Sequence, residues 1–327
     1  MKQAMNGSVT VGVCSDLHFA GLGEQARGRD YEFRGIANPL VRLLLRAFRR
    51  FIWLRNPLGN NPLLEVALEG LADADFLVAN GDFSCDSAFV GVSDDAAFAS
   101  ARECLDKLRA RFGDRFRAIP GDHELGKFSF AGNQGGMRRA SYERMVDGLK
   151  VQPFWQHRIG LHVLIGVTSS LIALPAMQSE MLSAERPFWE ALREEHLRDI
   201  RAAFEALRTE ERVVLFCHDP TALPFLAREP VIHARLGQVQ CTVIGHLHTA
   251  LVFRMSRMLA GMPEVRWFGH SLRKMSRALR EARNWRGFNV HLCPSLSGVE
   301  LLKDGGFLTL TLHPQPSVLV RRHAIPR

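Results

Sequence analysis

The chain has 327 residues, 46% of them apolar and 23% charged, enough for a sizeable core and too apolar for a disordered or fibrous protein. Its net charge of +8 suits an anionic partner such as a phosphorylated substrate, a phospholipid surface or nucleic acid. A basic surface with no special partner is the plainer alternative.

The first residues run straight into a strand pattern without an apolar leader and cleavage site, which points to the cytoplasm. That strand, residues 9–14, stops at Asp16-Leu17-His18. In an extended segment residues two apart face one side, so this carboxylate and imidazole could grip one ion. A helical insertion is expected next, at about 24–66, and it contains the run PLVRLLLRAFRRFIWLR at 39–55. Read as a helix, this run puts Arg42, Arg46, Arg49 and Arg50 in one narrow stripe and leaves the rest apolar, including Phe48, Phe51 and Trp53. Such a segment could lie peripherally in the interface of an anionic membrane or wall a cavity for an acyl chain. The plainer alternative is a buried helix whose only solvent face is the arginine stripe.

The apolar run 75–79 leads to Asn80-Gly81-Asp82, where Gly81 permits a sharp turn that leaves Asp82 at the strand end. A helix-like stretch at 95–112 separates it from the run 116–119 and from Pro120-Gly121-Asp122-His123-Glu124. The loop 127–139 follows, glycine-rich, with Arg138 and Arg139 as candidates to reach a substrate phosphate. A strand is expected at 162–167; the apolar window 161–177 around it is too short and too polar to span a membrane. After a second helix-like stretch at 188–207, the run 212–217 ends at His218-Asp219-Pro220 and the run 239–244 ends at Gly245-His246-Leu247-His248. A basic helical segment at about 254–286 contains Arg273, Arg277 and Arg280 on one face, an ordinary solvated face or a contact for anionic headgroups or phosphates. The tail then reads as three strands, 289–293, 306–312 and 317–322, expected to close a second sheet.

Alternating strands and helices predict an α/β domain. In such folds ligands collect on loops beyond the carboxyl ends of the strands, where all five Asp/His motifs sit. Each motif alone is weak, but five in order at strand ends are hard to obtain by chance. Mixed carboxylate and imidazole donors suit Mn, Fe or Zn. The six cysteines (14, 85, 104, 217, 241 and 293) form no CxxC pair or disulfide framework. They read as small buried residues of a protein kept in a reducing compartment.

The five motifs resemble those of the calcineurin-like metallophosphoesterases, whose pattern is DxH, GD, GNH[DE], H and GHxH in that order. The resemblance implies a four-layer α/β/β/α double-sheet sandwich, read here as a single domain over 1–327, and two divalent metal ions, with Mn2+ first among the candidates. One ion would be held by Asp16, His18, Asp82 and His248. The other would share Asp82 and add Asp122, His218 and His246. His123 would stand over the substrate as acid or charge stabiliser. Two such ions about 3.5–4 Å apart make hydroxide available near neutral pH.

The third motif departs from the pattern, with Asp122 where the family has Asn. Ionised Asp only accepts hydrogen bonds, and it adds a charge. Either the extra charge moves preference from dianionic monoesters toward monoanionic diesters, or the swap is tolerated with little effect. The expected activity is hydrolysis of a phosphodiester or phosphoanhydride. The alternatives are a phosphomonoesterase or a non-catalytic interaction protein on the same scaffold. A lipid-linked phosphate or a small nucleotide ranks above nucleic acid as substrate.

Overall fold

The computed structural model describes residues 7–36, 38–84, 88–127, 135–264, 270–315 and 317–325. Within them ten strands form two five-stranded sheets. In chain order they are β1 (Val9–Cys14), β2 (Phe76–Asn80), β3 (Phe116–Ile119), β4 (Phe154–Ile159) and β5 (His162–Val167), followed by β6 (Arg212–Cys217), β7 (Val239–Ile244), β8 (Val290–Leu292), β9 (Gly306–Leu312) and β10 (Val318–Ala324). The first sheet runs β10-β9-β1-β2-β3 and the second β4-β5-β6-β7-β8. β1, β2 and β3 are parallel, as are β5 to β8. The motif-bearing strands β1, β2, β3, β6 and β7 are all among these parallel strands, and each motif follows the carboxyl end of its strand.

Parallel strands covered on both faces read as continuous apolar runs rather than alternating ones, and that is the pattern of β1, β2, β5 and β6. One face of each sheet meets the other sheet: Val11, Val13, Phe76 and Val78 share a cluster with Leu164, Val214, Phe216 and Val243. Trp155 crosses this layer to donate its indole N–H to the Ala118 carbonyl at 2.9 Å. The outer face of the first sheet is covered by helices Asn61–Gly70 and Asp95–Phe112, the outer face of the second by helix Arg186–Glu205. Asp94 caps the 95–112 helix by accepting from Ala96 N and Ala97 N. The result is the expected α/β/β/α sandwich.

Three local expectations are corrected. The tail does not close a single sheet. β8 joins the edge of the second sheet, whereas β9 pairs antiparallel with β1 in the first and β10 pairs antiparallel with β9 at its edge. Their alternation, with Leu308, Leu310 and Leu312 buried and the intervening threonines half-buried, fits either sheet, so pattern alone could not assign them. β4 is an edge strand with exposed Gln156 and Arg158, and its polar FWQHRI sequence gave no strand signal. The 39–55 run forms helix Pro39–Phe48 and a π-helical turn Arg49–Trp53. No residue of that helix is buried, which overturns the buried-helix alternative.

Of the basic segment 254–286, Arg266 and the side chains of Arg273 and Lys274 lie outside the described residues, while Arg277 and Arg280 are exposed. Arg257, Arg283 and Arg286 line a cavity of about 780 Å³ with Phe253 and Trp285. The five described cysteines are free and buried; Cys85 lies outside the described residues. No described helix is long and apolar enough to cross a membrane.

The helix Arg186–Glu205 over the second sheet carries a buried histidine with a pH consequence. His196 is buried, and its Nε2 accepts from Thr168 N at 3.0 Å. Burial pushes its pKa down to about 3. The unfolded chain takes up this proton near pH 6.5 and the folded chain only near pH 3, so the contribution is intact above pH 6.5 and lost as pH falls. Unfolding free energy should drop by about 1.4 kcal/mol per pH unit through this window from His196 alone. Urea unfolding of wild type and His196→Gln should show a shallower acid limb in the variant; parallel curves would refute the assignment.

Candidate metal centre

The strand-end turns determine how the seven Asp/His side chains converge. Asp16, His18, Asp82, His246 and His248 all have positive φ, between 46° and 59°. Five of the eight described non-glycine residues with positive φ are therefore predicted site residues. This corrects the expectation for the DxH and HxH pairs. Neither is extended, so strand alternation is not what aligns them. In the HxH pair two successive tight turns do so, closed by Leu247 N to Gly245 O and Thr249 N to Leu247 O, both at 2.6 Å. Gly81 also has a positive φ, of 89°, and a Cβ there would stand 2.5 Å from His218 Nδ1. At Gly121 a Cβ would stand 2.0 Å from Asp82 Oδ1.

Two groups result. Asp16, His18, Asp82 and His248 present ligand atoms within 4.8 Å of one another, all from buried residues. Asp122, His218 and His246 form a second group at the same spacing, the first two buried and His246 half-buried. His248 Nε2 lies 3.1 Å from Asp16 Oδ1, and His246 Nδ1 lies 3.0 Å from Asp122 Oδ1. His218 Nε2 faces both Asp82 Oδ2, at 3.2 Å, and Asp122 Oδ1, at 3.5 Å, so Asp82 stands between the groups. The His218 Nδ1–H donates to the Asn80 carbonyl at 2.6 Å. That bond selects the tautomer whose Nε2 lone pair points into the cluster, the usual arrangement of a ligating histidine. His123 places its backbone N–H 3.1 Å from Asp82 Oδ1, and its ring centroid is 4.9 Å from that of His18.

Three carboxylates this deeply buried require positive charge nearby. In the chain alone the imidazoles supply it. Burial works against ionisation of Asp16, Asp82 and Asp122, yet the surrounding histidines outweigh it and hold all three below the usual carboxylate range. Conversely, burial disfavours the charged form of His246, but Asp122 and Asp219 push its pKa up to about 10. His218 is likewise raised, by Asp82 and Asp16. A donor set of three carboxylates and four imidazoles around two foci fits two divalent cations of the Mn, Fe or Zn type.

A positioning residue without an assigned role in the sequence reading is Glu124. It is buried, and its carboxylate accepts from Gly121 N at 2.8 Å, Asp82 N at 3.0 Å and Phe83 N at 2.7 Å. It thereby ties the second motif to the third. Burial and the charge of Asp82 raise its pKa to about 7. Ser15 Oγ stands 2.6 Å from Asp16 Oδ2 and 2.9 Å from Asn80 O. Only Glu124 gave a signal in the sequence, as an acidic residue inside a motif.

Trp53 reaches the site from the 39–55 run: its ring lies 4.6 Å, centroid to centroid, from that of His248. Arg138 and Arg139 are engaged elsewhere. The Arg138 guanidinium donates to the Gly135 and Met137 carbonyls. Arg139 pairs with Glu143 at 2.7 Å and stacks over Phe188. Residues 128–134 of the loop between the third motif and these arginines lie outside the described residues.

The calcineurin-like phosphoesterase family model matches residues 9–250, which contain all five motifs. The chain belongs to the calcineurin-like phosphoesterase family. A dimetal phosphatase from Danio rerio has a similar structure, with a TM-score of 0.50 at 14% identity over 97% of this chain and 99% of that one. The phosphopantetheinyl hydrolase of Mycobacterium tuberculosis aligns at 17% identity and a TM-score of 0.35 over 87% of this chain and 95% of that one. A purple acid phosphatase from yellow lupin seeds aligns at 11% identity and a TM-score of 0.44 over 99% of this chain and 52% of that one. At these identities the likeness is one of fold. No curated protein matches the chain in sequence. The family and the two clusters support a metal-dependent phosphoester hydrolase with a binuclear divalent site.

Two measurements test this geometry. Metal ligation requires neutral imidazole, while His246 and His218 hold protons well above neutrality in the metal-free chain. Titrating Mn2+ at about pH 8 should therefore release protons. Calorimetry in buffers of different ionisation enthalpy reads that release, and equal heats would contradict the charge assignment. The second test concerns the backbone. Asp82→Gly and Asp82→Ala both remove the carboxylate, but only glycine relaxes the left-handed residue. Metal-free Asp82→Gly should be the more stable by about 1 kcal/mol.

Proposed function

We propose that the protein hydrolyses a phosphodiester or phosphoanhydride, using the two Asp/His groups as ligands for two divalent ions, with Mn2+ the leading candidate. Asp16, His18, Asp82 and His248 would hold one ion; Asp82, Asp122, His218 and His246 would hold the other. The observation that carries this reading is the division of seven side chains, six of them buried, into two groups that meet at Asp82. When bound, such ions supply Lewis acidity toward phosphoryl oxygens and acidify a water.

The chain's own contribution is positioning. Asn80 and Glu124 fix the orientation of His218 and of the Asp82 and Asp122 loops. His123 is tethered through its backbone to Asp82 and half-buried beside His18. There it would donate a proton to the departing alkoxide, a task suited to imidazole.

Charge supports the diester preference. Asp16, Asp82 and Asp122 set three negative charges against the four positive charges of two divalent ions. The remaining single positive charge matches a monoanionic diester better than a dianionic monoester. An asparagine at position 122 would leave two. Free buried cysteines fit a reducing, cytoplasmic setting. The substrate classes in best accord with the sequence are a lipid-linked phosphate and a small nucleotide.

Metal-stripped and Mn-reconstituted protein should be assayed on an aryl diester and an aryl monoester. Turnover should require metal, and Asp82→Ala should abolish it. His123→Asn should keep metal binding and lower turnover by about 100-fold. Asp122→Asn should move the monoester/diester ratio toward the monoester by about ten-fold. Absence of metal-dependent turnover on both substrates would refute the hydrolase reading, and an unchanged ratio in Asp122→Asn would refute the charge argument alone.

A further inference from the structure

The helix Pro39–Phe48 is amphipathic in the reverse sense. Its start is well defined: Pro39 occupies the first turn, and the Asn38 side chain accepts from Leu40 N at 2.9 Å and Val41 N at 3.2 Å. At 3.6 residues per turn, Leu40, Leu43, Leu44, Phe48 and Phe51 share one face, and Arg42, Arg46 and Arg49 the opposite one. A surface helix normally turns its apolar face to the core. Here the arginine face turns to the protein. Arg46 pairs with Asp30 at 3.2 Å and Arg49 pairs with Glu32. Both guanidinium groups also lie within about 6 Å of the Phe33 ring. Glu32 in turn meets Lys127, the residue that follows the third motif after Leu125 and Gly126. Arg49 is buried, while Leu40, Leu43, Leu44 and Phe51 are each more than 60% exposed.

The apolar surface continues onto neighbouring segments. Leu301, also exposed, donates its N–H to the Ile52 carbonyl. Thr249, which caps the helix Ala250–Met258, hydrogen-bonds Asp304 in the same loop as Leu301. That helix exposes Met255 and Met258. So large an apolar display on a soluble chain marks an interaction surface.

Charge says what kind. Residues 39–55 contain five arginines and no acidic residue, and residues 250–263 contain two arginines and no acidic residue. Arg50, Arg55 and Arg254 are exposed beside the apolar side chains. Two copies of this chain meeting through residues 39–55 and 250–263, whose charged residues are all arginines, would repel each other. A layer of anionic headgroups over hydrocarbon complements both features. We propose that residues 38–55 form an interfacial arm that seats the protein on an anionic lipid bilayer. The ring of Trp53, in the same arm, packs on His248, so the docked surface borders the Asp/His clusters. The docking stands whether or not the hydrolase reading holds, because it is read from binding.

Full-length protein should be sedimented with phosphatidylcholine vesicles with and without phosphatidylglycerol. Wild type should pellet with the phosphatidylglycerol vesicles and remain largely soluble with phosphatidylcholine alone. Leu44→Glu/Phe51→Glu should cut the bound fraction by about ten-fold or more, and Arg50→Ala/Arg55→Ala should weaken binding only to the anionic vesicles. Unchanged thermal unfolding and Mn2+ binding would show that the variants remain folded. The proposal is overturned if wild type stays in the supernatant with anionic vesicles, or if Leu44→Glu/Phe51→Glu binds as well as wild type. It is also overturned if the patch instead forms a dimer, seen in sedimentation velocity, that the same variant dissociates.

Discussion

Negative charge packed into a dry space governs this structure. Asp16, Asp82 and Asp122 are almost completely buried at one end of the sandwich, where an isolated carboxylate would be neutralised rather than ionised. Four imidazoles around them allow all three to stay ionised. The same arrangement makes the cluster a competitor between protons and metal ions, since the atoms that carry the protons are the ones that would ligate a cation. The backbone adds its own demand. Five residues of the cluster are left-handed without being glycine, at a cost of about 1 kcal/mol or more each. The sum is comparable with the net stability of a whole domain. Such turns persist only because fully buried strands anchor them.

That anchoring runs between the sheets as well as within them. Asp16 N and His18 N donate to the carbonyls of Gly81 and Asp82 inside the first sheet. His218 reaches across from the second sheet to Asn80, and the His246 N–H reaches back to the Asp16 carboxylate at 3.1 Å. The close approach of Gly81 and Gly121 to neighbouring side chains leaves no room for a Cβ at either position. The site is therefore a seam between two sheets, and a change in one motif is felt by the others through backbone hydrogen bonds rather than through the ligand atoms alone.

Much of this was legible in the sequence. The parallel strands announce themselves because burial on both faces gives unbroken apolar runs, and each of the five motifs begins where such a run ends. The convergence of the Asp and His side chains could be anticipated because five such motifs in order at strand ends are hard to obtain by chance, although each alone is weak. The geometry of the pairs could not be read. Asp16 and His18 look like strand neighbours, and nothing in the residue types reveals that both are left-handed. Likewise β9 carries a clear alternation, yet alternation is silent about which sheet edge accepts it; the pairing with β1 decides it, and β10 follows by pairing with β9. The role of Glu124, though not the residue itself, stays hidden for a further reason, since its partners are backbone N–H groups, which every sequence has.

The 39–55 run shows the same limit in its sharpest form. A periodic pattern gives the direction in which apolar and charged side chains separate, but not which of the two directions faces the protein. That sign depends on what lies beneath the helix. Here Asp30, Glu32 and Phe33 offer the arginines carboxylates and an aromatic face, so the charged side finds partly buried partners and the leucines are left outward. Arginine makes such an inversion possible because its guanidinium is weakly hydrated and stacks on rings, which a lysine ammonium does less well. Turning the helix over would bury the leucines but leave Glu32 with Lys127 alone and pull Arg49 out of its buried site. The observed orientation keeps the acidic pair satisfied and transfers the unmet demand to the apolar face, where an apolar phase rather than the protein's own core must meet it.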